Sequence, residues 1–486
     1  MKRIVTAREM RACEEKARAY GLGEDMMIES AASEMFRVLE KRIKKSELTA
    51  VFAGSGNNAA DGLSLARIMH LNGYRTEVVA VDENRNKYAS DRLMAYIALG
   101  GKVVGLETAK LRADGYGFVV DALFGIGLSR AAEGEYLEAV RLMNSCGAYV
   151  ISVDIASGLG SDDGTVRGEA VKADLTVTFA AYKYGHFLGE GANYSGKVVL
   201  ADMGIAVDVG AILTEKSVPK LGARKKVSHK GTYGRVRIIG GSATMPGAPL
   251  IAAESAMRAG AGLTALCHAA SLSDAYRKRV KEATLMPLAD DNGDIRCDAA
   301  ALDEIMRGAD AIAVGMGMGK NPEIINIIEY LAHNFDGVLV IDADGLNALV
   351  GRLEVLKGHK CRLVLTPHRG EFYRLFGECK ESEIVSCVAK AAKELDAVVV
   401  CKSNTTVIAD KSEVYLNASG SPAMSKGGSG DALAGAIAAL SCRMGALCGA
   451  ARAAYDFGVA GERAAEALGE NAVLASDVIA RLDTKR

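Results

Sequence analysis

The chain has 486 residues, 49% of them hydrophobic and only 5% aromatic, and it contains no tryptophan. That length is too great for one hydrophobic core, so two domains with aliphatic cores are expected. The 59 Lys and Arg residues nearly cancel the 60 Asp and Glu residues, which excludes charge-driven binding to nucleic acid or an anionic membrane.

The first half of the chain alternates between helical and strand patterns. Thr6 and Glu9 have capping-box spacing at the start of a first helix, Gly21 is placed to stop it, and a second helix follows. Strand patterns then come at TAVFAG, TEVVAV, GFVVDALFG, AYVISVDIASG, DLTVTF and GKVVLADMG, with helical segments between most of them. This alternation predicts an α/β domain of the Rossmann-like, three-layer type with a mostly parallel sheet.

The pattern changes near residue 210. The stretch LTEKSVPKLGARKKVSHKG is polar and basic, and we interpret it as a linker between a first domain at 1–212 and a second at 222–486. Beyond it, strands are predicted at GRVRIIGG, DAIAVGMG, GVLVIDADG, CRLVLTPHRGE and AVVVCK, and a hairpin at TTVIAD and EVYLNA. Two Ala-rich helices close the chain, so the second domain is also predicted to be α/β.

Cysteine usage and hydropathy indicate the compartment. Ten cysteines occur without any C-x-x-C pair, so neither a zinc site nor a redox pair is predicted. No apolar run approaches the roughly 20 residues of a membrane span, and the opening MKRIVTAREM lacks a long apolar segment. We expect a soluble, reduced, cytoplasmic protein with no membrane or nucleic-acid partner.

The stretch SKGGSGDALAG, Ser425–Gly435, places glycines and one acid before an apolar helical run. Glycine lets a backbone approach an oxyanion closely, and the first helical turn offers free N–H groups, so this loop predicts a phosphoryl cradle. Asp431 lies at the positive end of the helix dipole, which should keep it ionised and able to accept a proton from a hydroxyl. The alternative is a Gly-rich turn with an Asp helix cap.

Other strand ends of the second half carry polar or Gly-rich turns. They are TPHRGE with His368, DADGL with Asp342 and Asp344, VGMGMGK with Gly317, and CKSNTTVIA with Lys402. Because functional groups gather at the carboxyl ends of parallel strands, this combination favours one site over isolated turns. No Walker A sequence and no kinase H-R-D set occur, so nucleotide use would depend on the cradle.

From about Lys225 onward, GGSGDALAG, TPHRGE, DADGLNAL and GGSATMPGAPLIAAESAMRAGAGL resemble the ribokinase-like dehydratase that repairs hydrated NADH and NADPH. The resemblance implies dehydration of the S hydrate with ADP as co-substrate and Mg²⁺ present, through phosphorylation of the ring hydroxyl and loss of phosphate. Asp431 would be the catalytic base. The implied contacts with the hydrate are Ala248, Gly317, His368 and Asp431, and those with the nucleotide are Lys402, Ser403, Asn404, Thr405, Thr406 and Gly430. The sequence leaves ADP or ATP open.

Three positions depart from that family's usual pattern. Ser421 replaces a common Asn, Lys426 replaces a common small or Thr residue, and Met316 stands where Pro is usual. Lys426 would either attract phosphate or lie on the surface.

In the first half, AGSGNNAADGL, Ala53–Leu63, separates a strand from a helix. It fits G-x-G-x-x-[GA], with Asp82 at the end of the next strand, so a dehydrogenase-type dinucleotide site is one interpretation. Asn58, Asp121 and Ser157 support another, because amide, carboxylate and hydroxyl oxygens suit a hard cation. Three separate Asx-type turns are the remaining alternative.

Residues 1 to about 210 resemble the epimerase that interconverts the R and S hydrates, which is often fused ahead of the dehydratase. The resemblance implies a potassium ion held by Asn58, Asp121 and Ser157, and a role for Asp154 as an acid that assists epimerisation. The implied substrate contacts are Asn57, Asn58, Ala59, Ala60, Asp61, Gly125, Ile126, Gly127, Leu128, Ser129, Arg130, Ala131 and Asp154.

The epimerase loop usually carries two glycines where this chain has Ala59 and Ala60. A positive φ at either position would cost about 1 kcal/mol or more, and a methyl group would hinder phosphate. Ala156 likewise stands where Pro is common.

Both halves together imply a bifunctional repair enzyme, an isomerase and a lyase in one chain, and such enzymes are commonly homo-oligomers. Two alternatives stay open. One is a ribokinase-like small-molecule kinase that releases a stable phosphorylated product. In the other, the first domain binds nucleotide or acts as a scaffold but has lost epimerisation.

Overall fold

The computed structural model describes residues 3–128, 130–207 and 211–483. These residues form two compact units, one that ends at residue 207 and one that begins at Ala211. Each unit has its own parallel sheet and its own apolar core. The α/β class predicted for both halves is therefore confirmed.

The first unit begins with two helices and continues as an alternation of strands and helices. Its strands are β1 Ile4–Val5, β2 Leu48–Ala53, β3 Arg75–Ala80, β4 Lys102–Gly105, β5 Tyr116–Ala122, β6 Tyr149–Val153, β7 Leu175–Phe179, β8 Tyr182–Lys183 and β9 Lys197–Ala201. Its helices are α1 Ala7–Ala19, α2 Glu24–Leu39, α3 Asn57–Leu71, α4 Lys87–Ala98, α5 Leu106–Lys110, α6 Gly134–Ser145 and α7 Gly191–Tyr194.

The main sheet of the first unit is parallel and has the strand order β4-β3-β2-β5-β6-β7-β9. The central strands are buried along nearly their whole length because helices cover both faces. The predicted capping box at the start of α1 is confirmed: Thr6 accepts from Glu9 N and its own N–H is bound by the Glu9 carboxylate. The strand order reverses between β2 and β5, which is where open parallel sheets bind ligands.

The second unit repeats this alternation at greater length. Its strands are β10 Ala211–Ile212, β11 Arg235–Ile239, β12 Leu263–Ala269, β13 Thr284–Leu288, β14 Asp290–Asp291, β15 Asp294–Ile295, β16 Ala311–Val314, β17 Val338–Ile341, β18 Arg362–Leu365, β19 Val398–Cys401, β20 Thr406–Ala409 and β21 Val414–Asn417. Its helices are α8 Gly247–Arg258, α9 Ser273–Arg277, α10 Ala299–Met306, α11 Ile324–Asn334, α12 Asp344–Ala348, α13 Arg369–Phe376, α14 Ile384–Leu395, α15 Ser429–Met444, α16 Ala446–Leu468 and α17 Ala475–Ala480.

The sheet of the second unit has the order β10-β21-β20-β19-β18-β17-β16-β11-β12-β13. It is parallel except at β19-β20-β21, where the predicted hairpin of β20 and β21 is confirmed. Helix α15 packs closely on α8. The two backbones approach so nearly that a Cβ on Gly435 would come within 2.0 Å of the Ala252 carbonyl oxygen. The small residues of α15 thus bring the helix that follows the cradle tightly against the sheet and α8. The order of this sheet reverses between β11 and β16.

The expected limits at 212 and 222 differ from the division in the structure. Ala211 and Ile212 pair with β21 and so belong to the second sheet. Leu213 lies in the core of the second unit, and Arg452 binds the carbonyl of Pro219 at 3.4 Å. The first part of the predicted linker is therefore packed onto the second unit, because its few apolar residues are buried there. Within the described ranges, no helix is both long and apolar enough to span a membrane.

Candidate functional sites

A cavity of about 500 Å³ lies at the point where the first sheet reverses its order. Its lining includes the loops after β2 and β5, the residue after β6, the end of β8, and parts of α1, α2 and α3. Both ionisable side chains and exposed backbone reach it. The lining residues used below are Glu14, Asn57, Asn58, Asp61, Asp154 and Lys183.

Asn57 and Asn58 begin α3. They follow Gly56, the N-cap residue, which makes no side-chain capping hydrogen bond. The Asn57 amide donates to the Glu24 carboxylate, and its oxygen accepts from the Asn86 side chain at 2.7 Å. Asn58 donates its amide to the backbone carbonyl of Phe124 at 2.9 Å. Hydrogen bonds to Glu24, Asn86 and Phe124 thus hold both predicted asparagines in place.

Asp121 ends β5 and is completely buried. Its carboxylate accepts from Ser157 Oγ at 2.6 Å, Ser157 N at 2.8 Å, Ser152 Oγ at 2.8 Å and Leu123 N at 3.3 Å. Burial raises the pKa of Asp121 although these hydrogen bonds lower it. Ser157 Oγ also accepts from Phe124 N at 2.9 Å, so the structure brings Asn58, Asp121 and Ser157 around one backbone segment.

Asp154 follows β6 and adopts φ 64°, the left-handed region that non-glycine residues rarely occupy. Its carboxylate accepts from Lys183 Nζ and from Thr178 Oγ1. His186 holds this turn, because its Nε2 contacts the Asp154 carbonyl at 2.9 Å while its Nδ1 accepts from Lys183 N at 3.1 Å. Burial, and then Lys183, lower the pKa of His186 to about 4, so the ring is neutral and Nε2 donates.

Like Glu14, Lys183 lines this cavity and was missed by sequence reasoning. It is 1% exposed and it donates to Asp154, to Thr178 Oγ1 at 2.9 Å and to the Phe179 carbonyl at 3.2 Å. The only signal in the sequence is a lysine next to the end of an apolar strand pattern, in FAAYKYGH. Its partner Asp154 lies 29 positions away, so no local spacing links the two.

Two further acids line the cavity. Burial raises the pKa of Asp61 well above its usual value, and Asp154 is the next cause. Burial also raises the pKa of Glu14, again with Asp154 as the next cause. The site therefore combines carboxyl groups that hold protons more tightly than usual with a buried lysine.

The structure corrects two expectations about the epimerase loop. Ala59 and Ala60 are fully buried on the inner side of α3 and do not line the cavity. Neither has a positive φ, so the strain expected from these substitutions is absent. Gly125, Ile126, Gly127, Leu128 and Arg130 do line the cavity. Ala131 is exposed outside it, and Ser129 lies outside the described residues.

In the second unit, the loops after β11 and β16 meet where that sheet reverses. Gly317 has φ 68°, and a Cβ there would lie 2.9 Å from the Cβ of Ala248. The structure thus brings together two of the predicted hydrate contacts. Gly315 has φ 117°, and a Cβ there would come within 2.0 Å of the Asp342 carbonyl oxygen, so the turn after β16 packs directly on the turn after β17.

Lys402 links the carboxyl ends of β17, β18 and β19. Its Nζ donates to Asp342 Oδ1 at 2.7 Å, and its backbone N–H donates to the Pro367 carbonyl at 2.8 Å. His368 pairs with Lys402 in an isolated parallel bridge and caps α13, where its Nδ1 accepts from Glu371 N at 3.2 Å. The predicted residues His368 and Lys402 are therefore neighbours.

Asp431 lies in the first turn of α15, after Gly428 with φ 92°. Burial, and then the carboxylate of Asp342, raise the pKa of Asp431 to about 6. The helix dipole expected to stabilise its ionised form is thus outweighed by burial and nearby acids. A carboxylate with this pKa still accepts a proton near neutral pH. Among the described residues, no side chain hydrogen bonds to it.

The predicted nucleotide loop is only partly accessible. Lys402, Ser403 and Asn404 reach the surface, whereas Thr405 and Thr406 are 2% and 8% exposed. Thr406 already belongs to β20. Lys426 is exposed and donates to the carbonyl of Asn471 at 2.6 Å.

The arrangement defines an enzyme with two α/β units, each carrying titratable residues where loops leave the carboxyl ends of its parallel strands. Residues 24–185 match the model of the YjeF-related protein N-terminus, and residues 236–483 match that of NAD(P)H-hydrate dehydratase. The chain belongs to the family of bifunctional NAD(P)H-hydrate repair enzymes. It therefore combines a lyase and an isomerase, and the kinase alternative is not favoured.

Relatives cover nearly the whole chain. The bifunctional NAD(P)H-hydrate repair enzyme Nnr of Moorella thermoacetica is 34% identical over 98% of this chain and 95% of its own length. The enzyme of the same name from Thermofilum pendens is 34% identical over 94% of this chain and 91% of its own. The crystal structure of an ADP/ATP-dependent NAD(P)H-hydrate dehydratase from Bacillus subtilis, co-crystallised with ATP and Mg²⁺, is 29% identical with a TM-score of 0.48, covering 56% of this chain and 96% of that one.

Proposed function

We propose that the cavity of the first unit epimerises the hydrates and that the α15 cradle of the second unit dehydrates the S hydrate with ADP. One observation carries the proposal. In both units the candidate residues gather where loops leave the carboxyl ends of parallel strands, with Asp154 beside Lys183 in one unit and Asp431 beside Asp342 and Lys402 in the other. This is where open parallel sheets hold their ligands.

Epimerisation requires the hydroxyl on the ring carbon to leave one face and return to the other. Asp61, whose pKa is raised, would protonate the departing oxygen so that it leaves as water. The lone pair of the ring nitrogen supplies the electrons. Asp154, positioned by Lys183, would take a proton from the water that adds to the opposite face.

We propose further that a potassium ion binds beside Phe124. Asn58 Oδ1, Asp121, Ser157 Oγ and backbone carbonyls form an all-oxygen set that fits a hard cation. The Asp121 carboxylate already accepts four hydrogen bonds, so Ser157 Oγ would turn from it toward the ion. The ion would supply positive charge that holds substrate oxygens or phosphate.

In the second unit, Asp431 would take the proton of the ring hydroxyl as its oxygen attacks the terminal phosphorus of ADP. The bond to AMP breaks, and the phosphorylated ring then loses phosphate together with a proton from the neighbouring ring carbon, which the departing phosphate would accept, to give NAD(P)H. Amides of Gly430 and its neighbours and the ammonium of Lys402 would bind the phosphoryl oxygens. Ala248, Gly317 and His368 would hold the hydrate, and residues 402–406 the nucleotide.

Mg²⁺ would accompany the nucleotide. In the described ranges no cluster of three or more His, Cys, Asp or Glu residues is arranged to hold a metal. Mg²⁺ is commonly bound by phosphates, water and only one or two carboxylates. Asp344 fits that role, since one oxygen accepts from Gly319 N at 2.7 Å and the other is uncommitted among the described residues. We also propose a cytoplasmic homo-oligomer.

Separated epimers test the proposal. With ADP, the full chain should convert S hydrate to NADH, seen as regained absorbance of the reduced nicotinamide, and should release phosphate and AMP. Without nucleotide, it should convert R to S hydrate, followed by chromatography. A stable phosphorylated product would instead support the kinase. A lack of R-to-S conversion would support a first unit that has lost epimerisation.

A further inference from the structure

Asp342 lies at the carboxyl end of β17, beside the first turn of α15. It is 1% exposed, and its Oδ1 accepts the 2.7 Å hydrogen bond from Lys402 Nζ. A buried carboxylate is costly unless an opposite charge compensates it, so these two side chains act as a pair. The proposed chemistry assigns Lys402 to the nucleotide but gives Asp342 no part.

The pair is aimed at the start of α15. A Cβ built on Gly430 would lie 3.3 Å from Lys402 Nζ and 3.7 Å from Asp342 Oδ2. The main chain of Lys402 is fixed independently by its hydrogen bond to the Pro367 carbonyl. Only the flexible side-chain stem remains to be placed, and the Asp342 carboxylate is the group that places it.

We infer that Asp342 is a positioning residue of the dehydratase, which holds the Lys402 ammonium against the Gly430 backbone where the terminal phosphoryl group would lie. This rests on the proposed function of the α15 cradle. A side chain at position 430 would crowd the ammonium, because even a Cβ there would lie 3.3 Å from Lys402 Nζ.

The negative charge of Asp342 has a second effect, on the catalytic base. The charged groups that face Asp431 are Asp342 and Asp344 from the end of β17 and Lys402 from the end of β19. Burial raises the pKa of Asp431 most, the two acids raise it further and the lysine lowers it. Neutralising Asp342 removes one raising contribution outright, whereas Lys402, whose main chain stays bound to the Pro367 carbonyl, is displaced but not removed, so the pKa of Asp431 falls.

The test compares Asp342→Asn with Asp342→Glu in the full chain, by initial rates of S-hydrate dehydration across pH and ADP concentration. Asp342→Asn should raise the KM for ADP roughly tenfold and move the acid limb of kcat/KM lower by roughly half a unit to one unit. Asp342→Glu keeps the charge but displaces the ammonium. It should raise the KM for ADP, and its acid limb should not move lower as that of Asp342→Asn does.

Asp456→Asn is the matched control, because Asp456 is also a buried acid, bound to Arg452 Nε at 2.6 Å, but it is outside the cradle. Its acid limb and its KM for ADP should remain those of the wild type. The inference is overturned if Asp342→Asn keeps both the acid limb of kcat/KM and the KM for ADP of the wild type. If that variant does not fold, an unchanged KM for ADP in Asp342→Glu overturns it. Retained turnover in Asp431→Asn would instead reject the proposed function itself.

Discussion

The side-chain amide of Asn58 donates to the backbone carbonyl of Phe124 at 2.9 Å and so joins the loops that follow β2 and β5. Phe124 is in turn bound through its N–H to Ser157 Oγ, which reaches Asp121. Three side chains that are far apart in the sequence thus depend on one peptide segment. The predictions for the first unit follow from this arrangement and from the neighbouring Asp154 turn.

Replacing potassium with lithium should slow epimerisation, because lithium is the smaller ion and requires shorter distances to its oxygen ligands. Ser157→Ala removes one oxygen and should weaken potassium activation roughly 10- to 100-fold. Rates of R-to-S conversion measured against the concentration of each ion test this. Dehydration of S hydrate by the same sample is the control. Equal epimerisation in potassium and lithium would argue against the cation site.

Lys183→Gln should lower epimerisation by roughly two to four orders of magnitude, because Asp154 loses the donor that positions it. S-hydrate dehydration by this variant should remain, since Lys183 lies in the first unit. Chromatography of the two epimers measures the first rate and nicotinamide absorbance the second. An epimerisation rate close to that of the wild type would remove Lys183 from the reaction.

The double change Ala59→Gly and Ala60→Gly should not speed epimerisation. Both methyl groups are buried in the core and neither residue has a positive φ. Glycine in a helix costs about 1 kcal/mol relative to alanine, so each substitution should lower the free energy of unfolding by about that amount. Urea unfolding and R-to-S rates test this. A faster double variant would show that the methyl groups obstruct the substrate.

Asp431→Asn should reduce dehydration by roughly two to four orders of magnitude while ADP still binds. In the wild type, falling pH should decrease the rate as it passes about 6, because protonated Asp431 cannot accept the hydroxyl proton. The pH profile of kcat/KM and ADP binding by calorimetry test both statements. An acid limb that persists unchanged in the residual activity of Asp431→Asn would assign that limb to another group.

His186 should make the first unit sensitive to acid. Its pKa is about 4 in the folded chain and near 6.5 in the unfolded chain. Between these pH values the unfolded chain therefore binds a proton that the folded chain does not. The free energy of unfolding is therefore highest above pH 6.5 and falls by up to about 3 kcal/mol as the pH decreases toward 4. Urea midpoints at pH 7 and 5 test this. His186→Gln retains a donor and an acceptor, and its midpoint should change less over this range.

Much of the fold could be predicted because its strands are short apolar runs that end in polar turns. Polar turns after such runs, like those that hold Asp121, His368 and Asp431, also predicted most residues of the candidate sites. Lys183 could not be found, since its partnership with Asp154 arises from a left-handed turn that composition does not reveal. The burial of Ala59 and Ala60 was likewise hidden, because a departure from a family pattern does not show which side of a helix a methyl group faces.

Strand β10 sets a limit on how the second unit can be isolated. Ala211 and Ile212 hydrogen bond along β21, and Leu213 N adds a bond of 2.7 Å to the Leu416 carbonyl. A fragment that begins at residue 222 would leave the backbone groups of β21 open, and such edges pair with other chains. A fragment that begins at or before Ala211 should stay dispersed in solution, whereas the shorter one should self-associate.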